Sequence, residues 1–149
     1  MRVSTRVEYG LAALADIAVH SEDGKTVSSA EIAERQDISQ KYLEQIIMGL
    51  RQGGFVKGMK GSRGGYVLSR PANRIYLSEV LNALDNNILA DARESDDEQI
   101  SDIRSSVNSC LWDKLNSYMR RFAEQMTLAD LIAEYKENCG QEENFMYYI

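Results

Sequence analysis

The segment Gly58-Met59-Lys60-Gly61-Ser62-Arg63-Gly64 most narrows what this chain can fold into. It lies between two β-prone runs, Phe55-Val56-Lys57 and Gly65-Tyr66-Val67-Leu68. Short β-prone runs joined by a glycine-rich loop predict an antiparallel hairpin, here with Lys60 and Arg63 at its tip. Pro71 ends it. Upstream, the spacing of Val7, Leu11, Leu14, Ala15 and Ala18 predicts a first helix that begins near Ser4 or Thr5 and runs to His20. Ser28 and Glu31 stand three apart before Ile32 and Ala33, a capping box that opens a short helix ending near Gln36. Asp37-Ile38-Ser39 is a tight turn, and Ser39 caps a third helix that stops at Gly53-Gly54, where glycine can turn left-handed. Residues 1–76 therefore read as helix, turn, helix and a basic wing.

The remainder divides into three further segments. Ser78 is expected to cap a short helix through Leu84, and with the acidic loop that follows (Asp91, Glu94, Asp96, Asp97, Glu98) it makes up 77–99. In 100–135, Ile103, Val107, Leu111, Leu115, Tyr118, Phe122 and Met126 keep one apolar stripe on a long helix. At ~1.5 Å per residue that helix is about 40 Å long, more than so small a domain can cover, so a second copy is expected to bury the stripe. Thr127 is expected to cap a short helix over Leu128–Tyr135, leaving 136–149 as a C-terminal tail. The fold class is mainly α with a minor β component: a winged helix-turn-helix with a long C-terminal dimerisation helix.

Charge fits this division. The net charge is −6, yet residues 1–75 carry +3 and residues 76–149 carry −9. Between 41 and 74, Glu44 is the lone acid among seven basic residues. A basic surface on an acidic protein is an electrostatic footprint for a polyanion. With one histidine, His20, no Ser/His/Asp set can form, so an enzyme is not expected. Two cysteines, Cys110 and Cys139, offer no metal-ligand spacing and no disulfide framework, so neither cofactor nor metal is expected. No apolar run approaches the ~18 residues of a membrane span and no apolar leader opens the chain, so the expected location is cytoplasmic, without a membrane partner.

In the third helix, Leu43, Ile46, Ile47 and Leu50 must face the core, which leaves Lys41, Glu44, Gln45 and Met48 on the opposite stripe. A helix fits the major groove, where glutamine can pair with adenine, a carboxylate can accept from cytosine N4, and lysine can reach guanine or phosphate. Lys60 and Arg63 on the wing can enter the minor groove or grip phosphates. Double-stranded DNA is the expected partner.

Several motifs carry a family likeness: Ser4-Thr5-Arg6, Tyr42-Leu43-Glu44-Gln45-Ile46, Leu50-Arg51 with Gly54-Phe55-Val56, Lys60-Gly61 with Gly64-Gly65-Tyr66-Val67-Leu68, and Thr127-Leu128-Ala129-Asp130-Leu131. With these the chain resembles the Rrf-two winged-helix transcription regulators along essentially its whole length. The resemblance implies a homodimer whose long helices cross-pair and whose recognition helices and wings read a palindromic operator. Carried over, Lys41, Glu44 and Gln45 would contact the major groove, and Lys60, Ser62 and Arg63 would be wing contacts. Arg2, Thr5, Arg6, Ser28, Ser39, Tyr42 and Arg51 complete the expected DNA-facing set.

The chain departs from that family's cluster-binding members, which place three cysteines about six residues apart before the long helix, commonly with a histidine after the third. Anchored on Leu111-Trp112, the third cysteine and the histidine would fall at Ser106 and Ser109. One nearby thiolate, Cys110, cannot hold a cluster, so the expected relative is the cluster-free, cysteine-metabolism branch, a repressor of sulfur genes. The aromatic end Met146-Tyr147-Tyr148-Ile149 is similar to that branch's tail, which implies docking to cysteine synthase. Alternatives are a thiol-based redox-responsive regulator of another stress regulon, with Cys110 as the candidate thiol, or a protein-interaction module that binds no DNA.

Overall fold

The computed structural model describes residues 3–90 and 101–147, the stretch 141–147 by its backbone. Arg2, the acidic residues Asp91 to Glu98, Tyr148 and Ile149 lie outside the described residues. Helix α1 is Thr5–His20, capped by Ser4, whose Oγ accepts the Val7 amide at 3.4 Å. Helix α2, Ser29–Gln36, opens with the expected capping box. Ser28 Oγ accepts the Glu31 amide at 3.2 Å, while the Glu31 carboxylate accepts from the Ser28 amide at 2.8 Å. The Ser28 amide and hydroxyl, both donating to the Glu31 carboxylate, hold its pKa below the usual carboxylate range. Asp37 ends α2 with φ 51°, a left-handed conformation that aspartate tolerates better than most residues. Helix α3, Gln40–Gln52, starts three residues beyond Asp37, capped by Ser39.

Leu43, Ile46, Ile47 and Leu50 of α3 pack with Val7, Leu14 and Ile17 of α1 and Ile32 of α2 into one core. One carboxylate is buried beside it. Asp16, 4% exposed, accepts two hydrogen bonds from Arg35, at 2.7 and 3.0 Å, and one from Gln36 at 2.8 Å. Burial pushes this carboxyl up, but the Arg35 and Gln36 bonds and the Arg35 charge outweigh it and hold the pKa below its ordinary value. The cluster clamps α1 to the last turn of α2.

Gly54, at φ +77°, turns the chain out of α3. The hairpin then forms from β1, Val56–Met59, and β2, Gly65–Leu68, antiparallel with Val56 opposite Leu68 and Met59 opposite Gly65. The first strand begins one residue later than the run Phe55–Lys57 suggests and is longer; the Phe55 amide still donates to the Leu50 carbonyl of α3, at 3.0 Å. Val27 adds an isolated bridge to Tyr66, with amide-to-carbonyl bonds of 3.0 and 2.7 Å. A Cβ on Gly65 would stand 2.7 Å from the Val27 carbonyl oxygen, so only glycine lets these backbones meet.

Helix α4 spans Leu77–Leu84. Its N-cap is Tyr76, whose amide donates to Glu79 Oε2 at 3.2 Å. The expected cap, Ser78, is instead inside the first turn: burial of Ile75 and Leu77 draws the chain into the core and starts the helix early. Beyond the segment outside the described residues come α5, Asp102–Val107, a π-helical turn, Asn108–Trp112, and α6, Asp113–Gln125, all with right-handed helical junctions. This is the expected long helix with one wide turn. The π turn has a physical reason. Ile103, Val107, Leu111 and Leu115 recur every four residues, ahead of the ~3.6 of a regular helix, and a turn of extra width returns the stripe to one face.

Helix α7, Leu128–Tyr147, is longer than the expected Leu128–Tyr135. Thr127 and Asp130 cap its start reciprocally, and Leu128 and Ile132 are buried against the winged unit. Past Tyr135 the apolar spacing fades, but Glu137, Gln141, Glu142 and Glu143 are good helix formers and Gly140 is tolerated within a helix at modest cost. The segment expected as a separate tail thus continues α7 as far as Tyr147.

Candidate nucleic-acid interface

The core face of α3 dictates what its other face presents. With Leu43, Ile46, Ile47 and Leu50 essentially inaccessible, Lys41, Glu44, Gln45 and Met48 are all exposed along one stripe. The N-terminal end of such a helix is the part that meets base edges when it enters a major groove. Ser39 caps that end, its Oγ accepting the Tyr42 amide at 3.3 Å. Tyr42 is half-buried and packs edge-on against Tyr9, ring centroids 6.1 Å apart, which fixes α3 on α1.

The wing tip is built from backbone bonds. The Gly64 amide donates to the Gly61 carbonyl at 3.0 Å, with Gly61 at φ +121°. The Thr26 hydroxyl donates to the Arg63 carbonyl, so the tip is tied to the loop that enters α2. Lys60, Ser62 and Arg63 are exposed there.

Ion pairing engages some of the cations near this surface and leaves others available. Arg35 is bound to Asp16, Arg70 to Glu79 at 3.2 Å, and Lys136 to Glu22 at 2.8 Å. Among the described residues, Lys41, Arg51, Lys57, Lys60 and Arg63 make no ion pair. Exposed cations left unpaired along one helix and the hairpin beside it are available to phosphates.

Other residues of the expected set fall elsewhere. Arg6 is half-buried: its Nε donates to the Leu84 carbonyl at 3.1 Å, and a Cβ on Gly49 would lie 2.9 Å from its guanidinium. It staples α1 to the end of α4 and lies against α3, a structural task that sequence reading did not assign to it. Ser28 and Ser39 serve as caps, and Thr5 is exposed in the first turn of α1. Arg2 lies outside the described residues. Cys110 is exposed in the π turn, with Ser109 Oγ 3.9 Å from its sulfur, and Cys139 is exposed on α7. Met146 and Tyr147 close α7, while Tyr148 and Ile149 lie outside the described residues. The clamp Asp16–Arg35–Gln36 and the Thr26–Arg63 tie were not read from the sequence. An acid between Ala13 and Ile17 on the apolar side of α1 was the one available sign of the first.

A helix-turn-helix with an unpaired basic wing defines a winged-helix transcription regulator. The profile of the Rrf2 family, described as an iron-dependent transcriptional regulator, matches residues 3–134, and the chain belongs to that family. It is 37% identical over 143 residues to the HTH-type transcriptional regulator IscR of Cereibacter sphaeroides, covering 93% of this chain and 92% of that one. Among solved structures it is similar to CymR, the global cysteine regulator of B. subtilis, with TM-score 0.77 and 27% identity over 90% of this chain and 98% of that one. It is also similar to T. potens IscR, with TM-score 0.75 and 32% identity over 93% and 90% of the two chains. The chain is thus a DNA-binding transcription regulator and not an enzyme.

The family's description raises the question of iron. The whole chain holds two cysteines and one histidine. His20 is on α1 with Nδ1 2.9 Å from the Asp16 carbonyl, and the cysteines are on other helices. Among the described residues, no group of three His, Cys, Asp or Glu side chains is placed to hold a metal ion. Nor is any described helix long and apolar enough to cross a membrane.

Proposed function

We propose that this Rrf2-family chain binds a palindromic operator as a homodimer and represses transcription by excluding RNA polymerase. The observation that carries this reading is the exposed stripe Lys41, Glu44, Gln45 on α3 beside a wing whose cations have no acidic partner among the described residues. Dimerisation is supported by the long helix, where Ile103, Leu111, Leu115, Tyr118 and Phe122 are 43–77% exposed. Beside it, α1, α4 and α6 enclose an apolar groove of about 430 Å³ lined by Val3, Leu11, Leu81, Tyr118 and Phe122. A two-fold pair of identical readers sees a two-fold sequence. Selection of bound duplexes from a random pool, followed by mobility shift, tests it: a palindrome is expected, and binding with no sequence preference overturns the reading.

The finer reading is a cluster-free regulator of cysteine and sulfur metabolism. Its support is the two-cysteine inventory of the chain and the likeness to the B. subtilis cysteine regulator. Under this reading the segment Met146–Ile149 docks to cysteine synthase. Iron analysis and visible absorbance of anaerobically purified protein are expected to be blank; stoichiometric iron with a charge-transfer band overturns the cluster-free state. Deletion of 146–149 is expected to abolish binding to cysteine synthase, and unchanged binding overturns the docking. A thiol-switch reading has its own support in the exposure of Cys110 within the long helix. Operator affinity that survives peroxide treatment removes it.

A further inference from the structure

Met48 has no task in the fold. It is 59% exposed on α3, although the apolar positions on the other side of the same helix are closed to solvent. It shares a stripe with Lys41, Glu44 and Gln45, and each of those three can address a base edge or phosphate by charge or hydrogen bond. Met48 can do neither. A thioether side chain is flexible and apolar, and it adapts its shape to another apolar surface. The major groove offers one apolar group, the 5-methyl of thymine, which is the feature that separates T·A from the other pairs by contact rather than by hydrogen bonding.

The surroundings leave the side chain free for that task. Met48 takes no part in the apolar groove beside the long helix, nor in the larger groove between the wing and α7. It lies one turn beyond Glu44 and Gln45, so along a groove it meets a base pair next to theirs. Its neighbour Gly49 lies against Arg6, which anchors this part of α3 to α1 and α4. An adaptable apolar side chain on a rigidly held stretch of helix is suited to sensing a methyl group.

We infer that Met48 is a specificity-determining residue that reads a thymine methyl at the edge of each half-site, adjacent to the bases addressed by Glu44 and Gln45. This rests on the proposed reading of α3 as the recognition helix. A methyl removed from water against the thioether corresponds to about fourfold in affinity.

Replacing thymine by deoxyuridine deletes that methyl and changes nothing else on the major-groove edge. The probe is the tightest duplex from random-pool selection with the full-length protein, each thymine replaced in turn and binding read by fluorescence anisotropy. For the unmodified protein, one thymine per half-site is expected to cost about fourfold. Met48→Ala should lose affinity by a similar factor on the parent duplex and become indifferent to uridine at that position. Met48→Leu, which keeps an apolar side chain of similar size, should retain the sensitivity. Circular dichroism should be unchanged, since the side chain is outside the core. Insensitivity of the unmodified protein to every substitution overturns the inference, as does equal sensitivity in Met48→Ala. A pool that yields no preferred sequence overturns the recognition-helix reading itself, a result distinguishable from the other two.

Discussion

Helix α3 and the long α5–α6 helix carry apolar stripes of similar regularity, yet their fates are opposite. Leu43, Ile46, Ile47 and Leu50 are at most 1% exposed, whereas Ile103 is 77% and Tyr118 and Phe122 are 64% exposed. Periodicity says that one face of a helix must be covered. What covers it depends on geometry: α3 is short and crossed by α1 and α2, while the long helix outruns the body it grows from. The first stripe makes a domain and the second is left exposed, the surface proposed to pair with a second copy.

The comparison breaks most severely if the second stripe is made polar. Leu115→Asp removes an apolar side chain from each copy and brings carboxylates into the proposed interface, an expected cost of about 4 kcal/mol per dimer, or roughly a thousandfold in dissociation constant. Sedimentation should show monomers, while circular dichroism keeps the helices of the winged unit. Disappearance of all helical signal would mean that the two regions are not separable.

Next in size is a change aimed at the first region. Arg35→Ala leaves Asp16 as a buried carboxylate with Gln36 as its remaining side-chain donor, and should cost about 3 kcal/mol or more in denaturant unfolding. Asp16→Ala should cost less, because Arg35 is one-third exposed and can turn to water. The sign with pH follows from the lowered Asp16 pKa. Its stabilisation is fully present above the unfolded value, about 3.9, and is lost as pH falls through the lower folded value. In Arg35→Ala burial dominates, so acid unfolding should begin at higher pH.

The proposed DNA-facing surface supplies the third test. Lys60→Ala or Arg63→Ala should weaken binding to all duplexes alike and reduce the salt slope by about 1 for each phosphate no longer neutralised. Glu44→Ala or Gln45→Ala should instead cost about 1–3 kcal/mol on the selected sequence and relax the choice of base. Identical weakening on all sequences for both kinds of change would erase the division between helix and wing.

The smallest expected effect sharpens how the wing is held. Thr26→Val removes the hydroxyl bonded to the Arg63 carbonyl and should cost about 1 kcal/mol of DNA affinity, with Thr26→Ser restoring it. Unfolding midpoints should barely move, since the tie is at the surface.

Much of this was legible in advance for a physical reason: caps, turns and stripes are local. Ser4, Ser28 with Glu31, Ser39 and Thr127 each mark a helix start by a bond to a neighbour within four residues, and every one appears in the structure. The hairpin was legible because glycines and β-prone residues alternate over a short span. Misplaced features depend on partners far along the chain. Ser78 reads as a cap because burial of Ile75 and Leu77 cannot be weighed locally. The π turn and the extension of α7 are different, since both follow local features that the expected boundaries did not use: a stripe that outpaces the regular helix, and a run of good helix formers beyond Tyr135.

By itself, then, the sequence determined a helix-turn-helix followed by a basic wing, the exposed stripe Lys41, Glu44, Gln45 and Met48 of α3, and a chain too poor in cysteine for a three-thiolate site. Only the tertiary structure decided which charges are spent inside the fold and which remain free. Arg6 and Arg35 look like the other cations in the sequence, but one is bound to the Leu84 carbonyl and the other to Asp16, while Lys60 and Arg63 have no acidic partner among the described residues. A cation's availability depends on which carboxylates and carbonyls folding brings within about 3 Å of it, and that is a property of the packed chain.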